Sequence, residues 1–432
     1  MRIPAKVFSS IYFGVQRLRS GVSEDQISAA ARLLDSSWAQ CEAHAIERLR
    51  MVHGRNVDWT WLRARAPTSR SELGAAAAKA IETAPSTTRF EVRKTSGSTG
   101  TPFRFPKDRQ MTAWMDAAMW AGYAWHGVRP GDPHVRFWGM PLAWTRRLNK
   151  RLGDALLNRQ RVDAFRLRPA TVRKWYFQLR ARHATYAYGY PSLIRAFIEM
   201  CRAQELDGRE LGLRVVISTG ELLSPIARRE IESFFECRVV NEYGCTESGV
   251  IGLECERGVM HALPVATWPE IVAYDGTPVR DDEGEVVVTD LYGQVFPLVR
   301  YRLRDRGIST SKVCECGREL VHLEISSGRS DSFIQTPSGP VYDAILAYSA
   351  PSSVQRFRVW QVSQTELLAH VVPGAGCNES VAAAEAAHAW ERALQGQMRV
   401  SVVPVSDIPP EPSGKLRYFV PASPEPAGEL QS

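Results

Sequence analysis

A glycine-rich stretch that carries several hydroxyl side chains is the first candidate for chemistry in this 432-residue chain. Its members are Thr95, Ser96, Gly97, Ser98, Thr99 and Gly100. Glycine lets a backbone adopt positive φ and approach a ligand closely, and successive amide N–H groups in such a turn bind anions. The stretch lacks the ending of a Walker loop, and alternating apolar residues on both sides predict a hairpin. It is a candidate phosphate loop, and an ordinary Gly/Ser-rich turn is the alternative.

A second group of polar residues follows two predicted parallel strands. The segment Ser218-Thr-Gly-Glu221 comes after a buried strand, and Asn241-Glu-Tyr-Gly-Cys-Thr-Glu247 comes after the next one. A helix between them makes a βαβ unit, and ligands in such sheets bind at the carboxyl ends of the strands. A glutamate there can hold Mg²⁺, and a tyrosine ring can lie against a base. A polar strand-to-loop turn is the alternative.

Taken in order, these segments resemble the adenylate-forming superfamily, which includes acyl-CoA synthetases, luciferases and peptide-synthetase adenylation domains. The resemblance extends from about residue 89 to residue 415. The phenylacetate-CoA ligase and CapK branch is indicated by the compact length, by a Cys/His set and by Tyr188-Gly-Tyr-Pro-Ser192.

The resemblance implies a role for each motif. The Thr95–Gly100 loop would bind phosphate, and Gly220 and Glu221 would lie along the adenine edge. Within the second motif, Tyr243 and Gly244 would contact adenine, Thr246 the phosphate and Glu247 a magnesium ion. Asp305 would bind ribose, Arg329 would reach the nucleotide and Asp331 would be the hinge. Lys415, on a Ser-Gly turn, would be the catalytic lysine, because its compact charge suits a carboxylate and an α-phosphate.

One departure from the family pattern lies next to Asp305. The usual motif has Thr-Gly before this aspartate, whereas Leu303 and Arg304 stand here. Arg304 would either crowd the nucleotide or contact a phosphate. A nucleotide-binding pseudoenzyme is therefore one alternative function, although the intact loop, Glu247 and Lys415 argue against it.

A separate set of residues is typical of a metal site. Cys255, His261, Cys314 and Cys316 form a Cys₃His set of the kind that closes a tetrahedral zinc site. Members of the phenylacetate-CoA ligase branch are similar in carrying such residues at these places. We expect a structural rather than catalytic zinc, and four unrelated residues are the alternative. Cys245 is interpreted as a residue that lines the pocket.

The pattern predicts an α/β protein with two domains and a tail. A large N-terminal domain, 1–329, would contain mixed or parallel sheets with helices and bind ATP and the acyl group. A small α+β domain, 330–420, would move and carry Lys415, and the Pro/Glu/Gly/Ser-rich tail 421–432 would be disordered.

Composition restricts the class of protein. The chain is 44% hydrophobic and 23% charged, which is typical of globular proteins, and its eight irregularly spaced cysteines fit a reducing cytosol. The net charge is +7, and twelve Lys and Arg residues against two Asp concentrate a local +10 in residues 146–182. A solvated helical face explains this block best, and CoA, a polyanionic glycan or a membrane surface are alternatives. No nucleic-acid motif accompanies it.

The resulting prediction is an acid-CoA ligase that uses ATP, Mg²⁺ and CoA and holds a structural zinc. An amine or hydroxyl group on a sugar or another metabolite is the alternative acceptor. Tyr188, Trp138, Met140 and Cys245 as pocket neighbours favour an aromatic or apolar acid. Cytoplasmic location is expected, with peripheral membrane contact and a homodimer left open.

Overall fold

The computed structural model describes residues 10, 12–15, 20–85, 88–94, 103–138, 151–163, 167–327, 333–374, 376–409 and 418–421. Within these ranges, every helix is too short or too polar to cross a lipid bilayer.

The helices of the described chain are α1 (Glu24–Leu34), α2 (Trp38–His53), α3 (Trp59–Arg63), α4 (Arg70–Thr83), α5 (Arg109–Ala124), α6 (Pro169–Arg182), α7 (Pro191–Arg202), α8 (Pro225–Phe235), α9 (Ala344–Ser349) and α10 (Glu379–Ala393). The first strands are β1 (Phe90–Lys94), β2 (Arg104–Asp108), β3 (His134–Trp138), β4 (Arg159–Asp163), β5 (Tyr186–Gly189), β6 (Val215–Thr219), β7 (Arg238–Cys245), β8 (Gly249–Glu254) and β9 (Met260–Ala262). The remaining strands are β10 (Thr267–Val272), β11 (Glu283–Asp290), β12 (Tyr301–Thr310), β13 (His322–Ser327), β14 (Phe333–Thr336), β15 (Gly339–Tyr342), β16 (Val354–Gln361), β17 (Glu366–Pro373), β18 (Arg399–Pro404) and β19 (Phe419–Val420).

One sheet of eleven strands organises the larger part of the molecule, in the order β10-β11-β12-β13-β9-β8-β7-β6-β5-β3-β4. The strands β4, β3, β5, β6 and β7 run parallel to one another. From β7 to the other edge of the sheet, through β8, β9, β13, β12 and β11 to β10, neighbouring strands pair antiparallel. Two hydrophobic clusters cover the two faces of the parallel half, because successive side chains of a strand point to opposite faces. The predicted βαβ unit of β6, α8 and β7 is confirmed.

The predicted hairpin is formed by β1 and β2, which pair antiparallel from Phe90 with Asp108 to Lys94 with Arg104. Asp108 also caps α5, since its carboxylate accepts from the Met111 amide at 2.9 Å. Asp108 therefore joins the hairpin to the helix that packs against the sheet.

The sequence predicts one long helix from a capping box at Ser23 to about Gly54, but the structure has two helices in this range. Ser23 opens α1 with the expected capping box, but a second capping box at Ser37 and Gln40 opens α2. A serine side chain that accepts from an amide three residues later favours a new helix start over continuation. The prediction missed this break because Ser36 and Ser37 lie inside an otherwise helical pattern.

A turn predicted at Glu283-Gly284 is wrong, because both residues belong to β11. Gly284 is required for close packing, since a Cβ there would meet the Val272 carbonyl oxygen at 2.4 Å. The chain reverses just before this strand, where Asp281 adopts a left-handed φ of 62°.

Residues 333–421 form smaller sheets and a separate hydrophobic cluster. The four-stranded sheet has the order β18-β17-β16-β19, and α10 packs against it through the fully buried Trp390. The sequence predicts strands near 355–362, 366–372 and 398–405 and a helix near 379–395, and the structure has each of them within a few residues. The predicted domain boundary near residue 330 lies outside the described residues and stays a prediction.

Candidate active site

A large cleft opens at the carboxyl ends of β5, β6 and β7. Its volume is about 1600 Å³, and its walls include residues of β12 as well as Val354 and Phe419 from the carboxyl-terminal sheet. The predicted site residues Gly220, Glu221, Tyr243, Gly244, Thr246, Glu247 and Asp305 all line it. The fold therefore brings together motifs that are separated by up to 85 residues in the chain.

Gly220 and Glu221 form the turn that follows β6. Gly220 has a φ of 77°, a left-handed conformation that glycine adopts without a steric penalty. The Glu221 carboxylate accepts from both the amide and the hydroxyl of Ser192, at 3.1 and 2.9 Å. The sequence predicts Ser192 as a helix cap, but α7 starts at Pro191, and Glu221 bonds the first-turn amide instead. Glu221 thus fixes α7 against the end of β6.

Tyr243 and Asp305 meet across the cleft from different strands. The Tyr243 hydroxyl donates to Asp305 Oδ2 at 2.7 Å. Burial, reinforced by the nearby Asp305 charge, raises the pKa of Tyr243 well above its usual range, so the phenol stays protonated. This hydrogen bond joins the residues predicted to contact adenine and ribose.

A bulge in β12 directs Asp305 toward Tyr243. Val287 pairs with Arg302 and Glu285 pairs with Arg306, so 303–305 lie opposite Val286 alone. Arg304 has a φ of 63°, a left-handed conformation that favours glycine. The chain therefore keeps a glycine-like backbone at the position where the family pattern has a glycine, with an arginine side chain in its place. Bulges next to active sites re-aim side chains in this way.

Glu247 lies in the adjoining wall of the cleft and is 8% exposed. Its Oε1 accepts from the Tyr301 hydroxyl at 3.2 Å. The preceding carbonyl, of Thr246, accepts from Arg93 Nη1 at 3.4 Å, and Arg93 Nη2 donates to Thr112 Oγ1 at 3.1 Å. Arg93 thus connects the hairpin strand β1 to the Thr246-Glu247 segment. Sequence reasoning assigns no role to Arg93 or Tyr301, since neither contact follows from residue spacing.

Gly244 and Cys245 complete the same segment. A Cβ on Gly244 would meet the Gly249 carbonyl oxygen at 2.2 Å, so only glycine fits where β7 meets β8. Cys245 lines the cleft, as predicted, and burial raises the pKa of its thiol.

Trp138 and Tyr188, which the sequence predicts as pocket neighbours, stack on each other, but neither lines the cleft. The Trp138 ring lies 5.8 Å from the Tyr188 ring and 4.0 Å from that of Tyr190, centroid to centroid. The Arg136 guanidinium carbon lies 4.5 Å from the Trp138 centroid and 5.0 Å from that of Tyr188. Met140 lies outside the described residues.

The basic block of 146–182 divides into two parts. Arg159 and Arg161 are buried on β4 and share the carboxylate of Asp154, at 2.6 and 2.9 Å. By contrast, the described basic residues of α6, including Arg173 and Lys174, are exposed as the predicted solvated face requires. Part of the block therefore stabilises an edge strand.

The four predicted zinc ligands lie together. Their ligand atoms are all within 4.8 Å of one another. Cys255 Sγ lies 3.8 Å from Cys314 Sγ, and Cys316 Sγ lies 3.3 Å from His261 Nε2. Tetrahedral zinc with its usual bond lengths separates sulfur pairs by about 3.8 Å and sulfur–nitrogen pairs by about 3.6 Å. His261 Nδ1 lies 3.1 Å from the Leu320 carbonyl oxygen, which orients Nε2 toward the thiols.

The remaining predicted site residues lie outside the described residues. They are Thr95, Ser96, Gly97, Ser98, Thr99, Gly100, Arg329, Asp331 and Lys415.

Comparison with known proteins agrees with this arrangement. A phenylacetate-coenzyme A ligase of Thermus thermophilus is 27% identical over 179 residues, which cover 39% of this chain and 40% of that protein. A phenylacetate-coenzyme A ligase of Escherichia coli is 31% identical over 136 residues, 30% of each protein. The alignments thus span less than half of either relative.

A solved structure supports the fold over nearly the whole length. It is a 2-hydroxyisobutyryl-CoA ligase in the postadenylation state, in complex with an acyl-AMP, with a TM-score of 0.68 and 19% identity, covering 94% of this chain and 91% of that one. The family model described as AMP-binding enzyme matches residues 45–301, more than half of the chain. The resemblance to the adenylate-forming superfamily is confirmed, and the chain belongs to the AMP-binding enzyme family.

Proposed function

We propose that this protein activates a carboxylic acid with ATP and then transfers the acyl group to the thiol of CoA. One observation carries the proposal: Tyr243 on β7, Glu247 in the turn after β7 and Asp305 on β12 line a single cleft at the carboxyl ends of the parallel strands. Both curated relatives are named phenylacetate-coenzyme A ligases, and the fold neighbour is a CoA ligase with an acyl-AMP.

The nucleotide half of the cleft is the part with the clearest assignments. The Tyr243 ring would lie against adenine, while its hydroxyl keeps the Asp305 carboxylate in place to accept from ribose hydroxyls. Glu247 fits a magnesium site, because it offers hard oxygen ligands and is held in place by Tyr301. Magnesium would neutralise phosphate charge when bound there. The Thr95–Gly100 loop would hold the departing pyrophosphate.

The proposed reaction has two steps. A carboxylate oxygen attacks the α-phosphorus of ATP and the bond to the β-phosphate oxygen breaks, so acyl-AMP and pyrophosphate form. The CoA thiol, losing its proton, then attacks the acyl carbon, and AMP leaves with the bonding electron pair. Lys415 would stabilise the charge that develops between the carboxylate and the α-phosphate in the first step.

A movement of the small carboxyl-terminal part would separate the two steps. Swinging residues 330–420 about Asp331 would withdraw Lys415 and open the cleft to CoA. The cleft wall already includes residues of that part, among them Arg356 and Phe419, so such a motion would change the shape of the site.

The Cys255, His261, Cys314 and Cys316 cluster would hold a structural zinc. Four protein ligands leave no open position, so the metal would stabilise the fold and take no part in the chemistry. The metal would join the loop after β8 and strand β9 to the 314–316 turn.

Acid-dependent exchange of labelled pyrophosphate into ATP tests the first step. The assay would use aryl, fatty and amino acids with the wild-type chain, Lys415→Ala and, as a control, Lys174→Ala on the exposed face of α6. We expect exchange with one class of acid, a loss of at least 100-fold in Lys415→Ala, and no change in the control.

Adding CoA tests the second step. Formation of a thioester that depends on both the acid and CoA supports the proposed acceptor. Pyrophosphate exchange without thioester formation would favour an amine or hydroxyl group over CoA as the acyl acceptor. Absence of exchange with every acid, together with absence of ATP binding, would contradict the proposal.

A further inference from the structure

The eleven-stranded sheet has a seam, the junction between β9 and β13, where two neighbouring strands pair only briefly. Within the described residues, the register between them consists of one pair, His261 with His322, whereas β12 and β13 pair from Arg306 to Thr310. Beside that pair, the Ala262 amide donates to the Val321 carbonyl at 2.9 Å. A ladder fixes two strands through successive hydrogen bonds, so a single pair determines their relative position weakly.

The proposed nucleotide site draws its residues from both sides of this seam. Tyr243 on β7 and Glu247 in the turn after it belong to the side of β8 and β9, whereas Tyr301 and Asp305 of β12 belong to the side of β13. The Tyr243 hydroxyl donates across to Asp305 at 2.7 Å, and the Tyr301 hydroxyl donates across to Glu247 at 3.2 Å. The geometry of the site therefore depends on how firmly the two sides are joined.

The Cys/His cluster, which consists of Cys255, His261, Cys314 and Cys316, crosses the same seam. Cys255 follows β8 and His261 lies on β9, while Cys314 and Cys316 lie between β12 and β13. The contact of Cys255 with Cys314, at 3.8 Å, and that of His261 with Cys316, at 3.3 Å, both join one side to the other. A tetrahedral zinc ion there would tie the two sides through two ligands from each.

Packing connects the cluster to the tyrosine of the nucleotide site. Met260 directly precedes the ligand His261 and lines the cleft together with Leu323 of β13. A Cβ on Gly252 would meet Met260 Sδ at 3.0 Å and Leu323 Cδ2 at 3.3 Å, so both side chains lie against that glycine. Gly252 is the residue of β8 that pairs with Tyr243. The side chains beside the seam thus rest on the backbone that faces Tyr243 in the sheet.

We propose that metal bound at the Cys/His cluster positions the nucleotide site, so that metal occupancy sets the affinity of the cleft for adenine nucleotides. The inference rests on the proposed function, because it needs zinc at the cluster and a nucleotide in the cleft. With metal bound, Tyr243 and Asp305 are held in place before the nucleotide arrives. Without metal, nucleotide binding must also order the two sides of the seam, and this cost weakens the affinity. Such coupling is reciprocal, so the nucleotide tightens metal binding by the same factor.

Titration calorimetry with AMP tests the inference, since AMP carries the adenine and ribose groups without needing magnesium. The zinc-loaded chain and the same chain freed of zinc by a chelator and dialysis would be compared at low temperature, with circular dichroism to verify folding. We expect the Kd for AMP to rise at least tenfold when zinc is removed, and to recover when zinc is restored. In competition with a chromophoric chelator, saturating AMP should raise the affinity for zinc by the same factor.

A destabilised variant separates positioning from general stability. Leu179→Ala removes a buried side chain from α6, outside the cleft wall and away from the seam. It should lower the melting temperature but keep its zinc and the Kd for AMP of the wild-type chain. Equal affinities for AMP with and without zinc, a similar loss of affinity in Leu179→Ala, or unfolding of the metal-free chain at low temperature would overturn the inference.

The same measurements distinguish this inference from the proposed function. Coupling between zinc and AMP in a chain that gives no pyrophosphate exchange with any acid would support the inference, and only the proposed function would fail. Exchange together with AMP binding that ignores zinc would overturn the inference alone. A zinc-loaded chain that does not bind AMP would overturn both.

Discussion

The Cys/His cluster and the cleft both bury reactive side chains, but the two regions differ in how completely those side chains are satisfied. In the cluster, the four ligand atoms lie within 4.8 Å of one another, and Leu320 orients His261. In the cleft, Glu247 accepts from the Tyr301 hydroxyl and lines about 1600 Å³ of open volume. Mutual contact makes a structural unit of the first region. The second region leaves open volume beside its polar side chains.

The largest expected effect comes from breaking the cluster. Cys314→Ser should reduce zinc from about one ion per chain to none and lower the melting temperature by roughly 10 °C or more, because metal binding contributes directly to folding. Elemental analysis and calorimetry would measure both quantities. Cys377→Ser, at an exposed free cysteine, is the matched control and should change neither. A wild-type chain that contains no zinc after growth with zinc would refute the closed-site interpretation.

The cleft should behave in the opposite way, losing activity without losing stability. Glu247→Gln should reduce kcat/KM for pyrophosphate exchange about 100-fold, which is about 2.7 kcal/mol, while the melting temperature changes by only a few degrees. A magnesium titration of the exchange rate would show whether the metal requirement shifts. Glu324→Gln removes an exposed charge from the same cleft and should have little effect. Equal losses in the two variants would argue against a specific role for Glu247.

A smaller effect is expected from the contact that joins Tyr243 to Asp305. Tyr243→Phe keeps the ring but removes the hydrogen bond to the carboxylate, so we expect the KM for ATP to rise about tenfold, or about 1.4 kcal/mol. Steady-state kinetics with varied ATP would measure it, and Tyr274→Phe at a fully exposed position serves as the control. An unchanged KM for ATP would mean that Asp305 is positioned without Tyr243.

The smallest effect concerns the strained backbone beside Asp305. Arg304→Gly should raise the free energy of unfolding by at most about 1 kcal/mol, since glycine relieves the left-handed strain but loses more chain entropy. Asp281→Gly relieves a similar φ in a turn outside the cleft wall and should change stability alone. Denaturant unfolding and the KM for ATP would be compared in both variants. A change in KM limited to Arg304→Gly would show that this arginine contacts the nucleotide.

Local signals in the sequence predicted much of the fold. Ser23-Glu-Asp-Gln26 and Ser69-Arg-Ser-Glu72 each predict a capping box at a helix start, and the structure has both. The predicted hairpin and βαβ unit are also present, because each of these features depends on residues close together in the chain. The two errors have different causes. The missed helix start at Ser37 carries a local signal, its capping box, whereas the other error arises from tertiary packing. The Glu283-Gly284 pair has turn composition, yet Gly284 is needed where two strands approach closely, and this requirement arises only after the strands pair.

The candidate site shows the same division between local and distant information. Motif order was sufficient to place Tyr243, Glu247 and Asp305 in one family pattern, and residue type was sufficient to group the four residues of the Cys/His cluster. Neither motif order nor residue type could reveal that the Tyr301 hydroxyl donates to Glu247 or that Arg93 donates to the Thr246 carbonyl. Those hydrogen bonds join residues that are 54 and 153 positions apart in the chain.

The sequence by itself determined the family, the order of the motifs and the chemistry that each side chain can perform. The tertiary structure alone decided which of these groups meet: the bulge that turns Asp305 toward Tyr243, the use of Glu221 to hold α7, and the hydrogen bond from Tyr301 to Glu247. The physical reason is that side-chain chemistry and short-range backbone preferences are encoded locally. Hydrogen bonds between distant strands depend instead on the register and twist of the whole sheet.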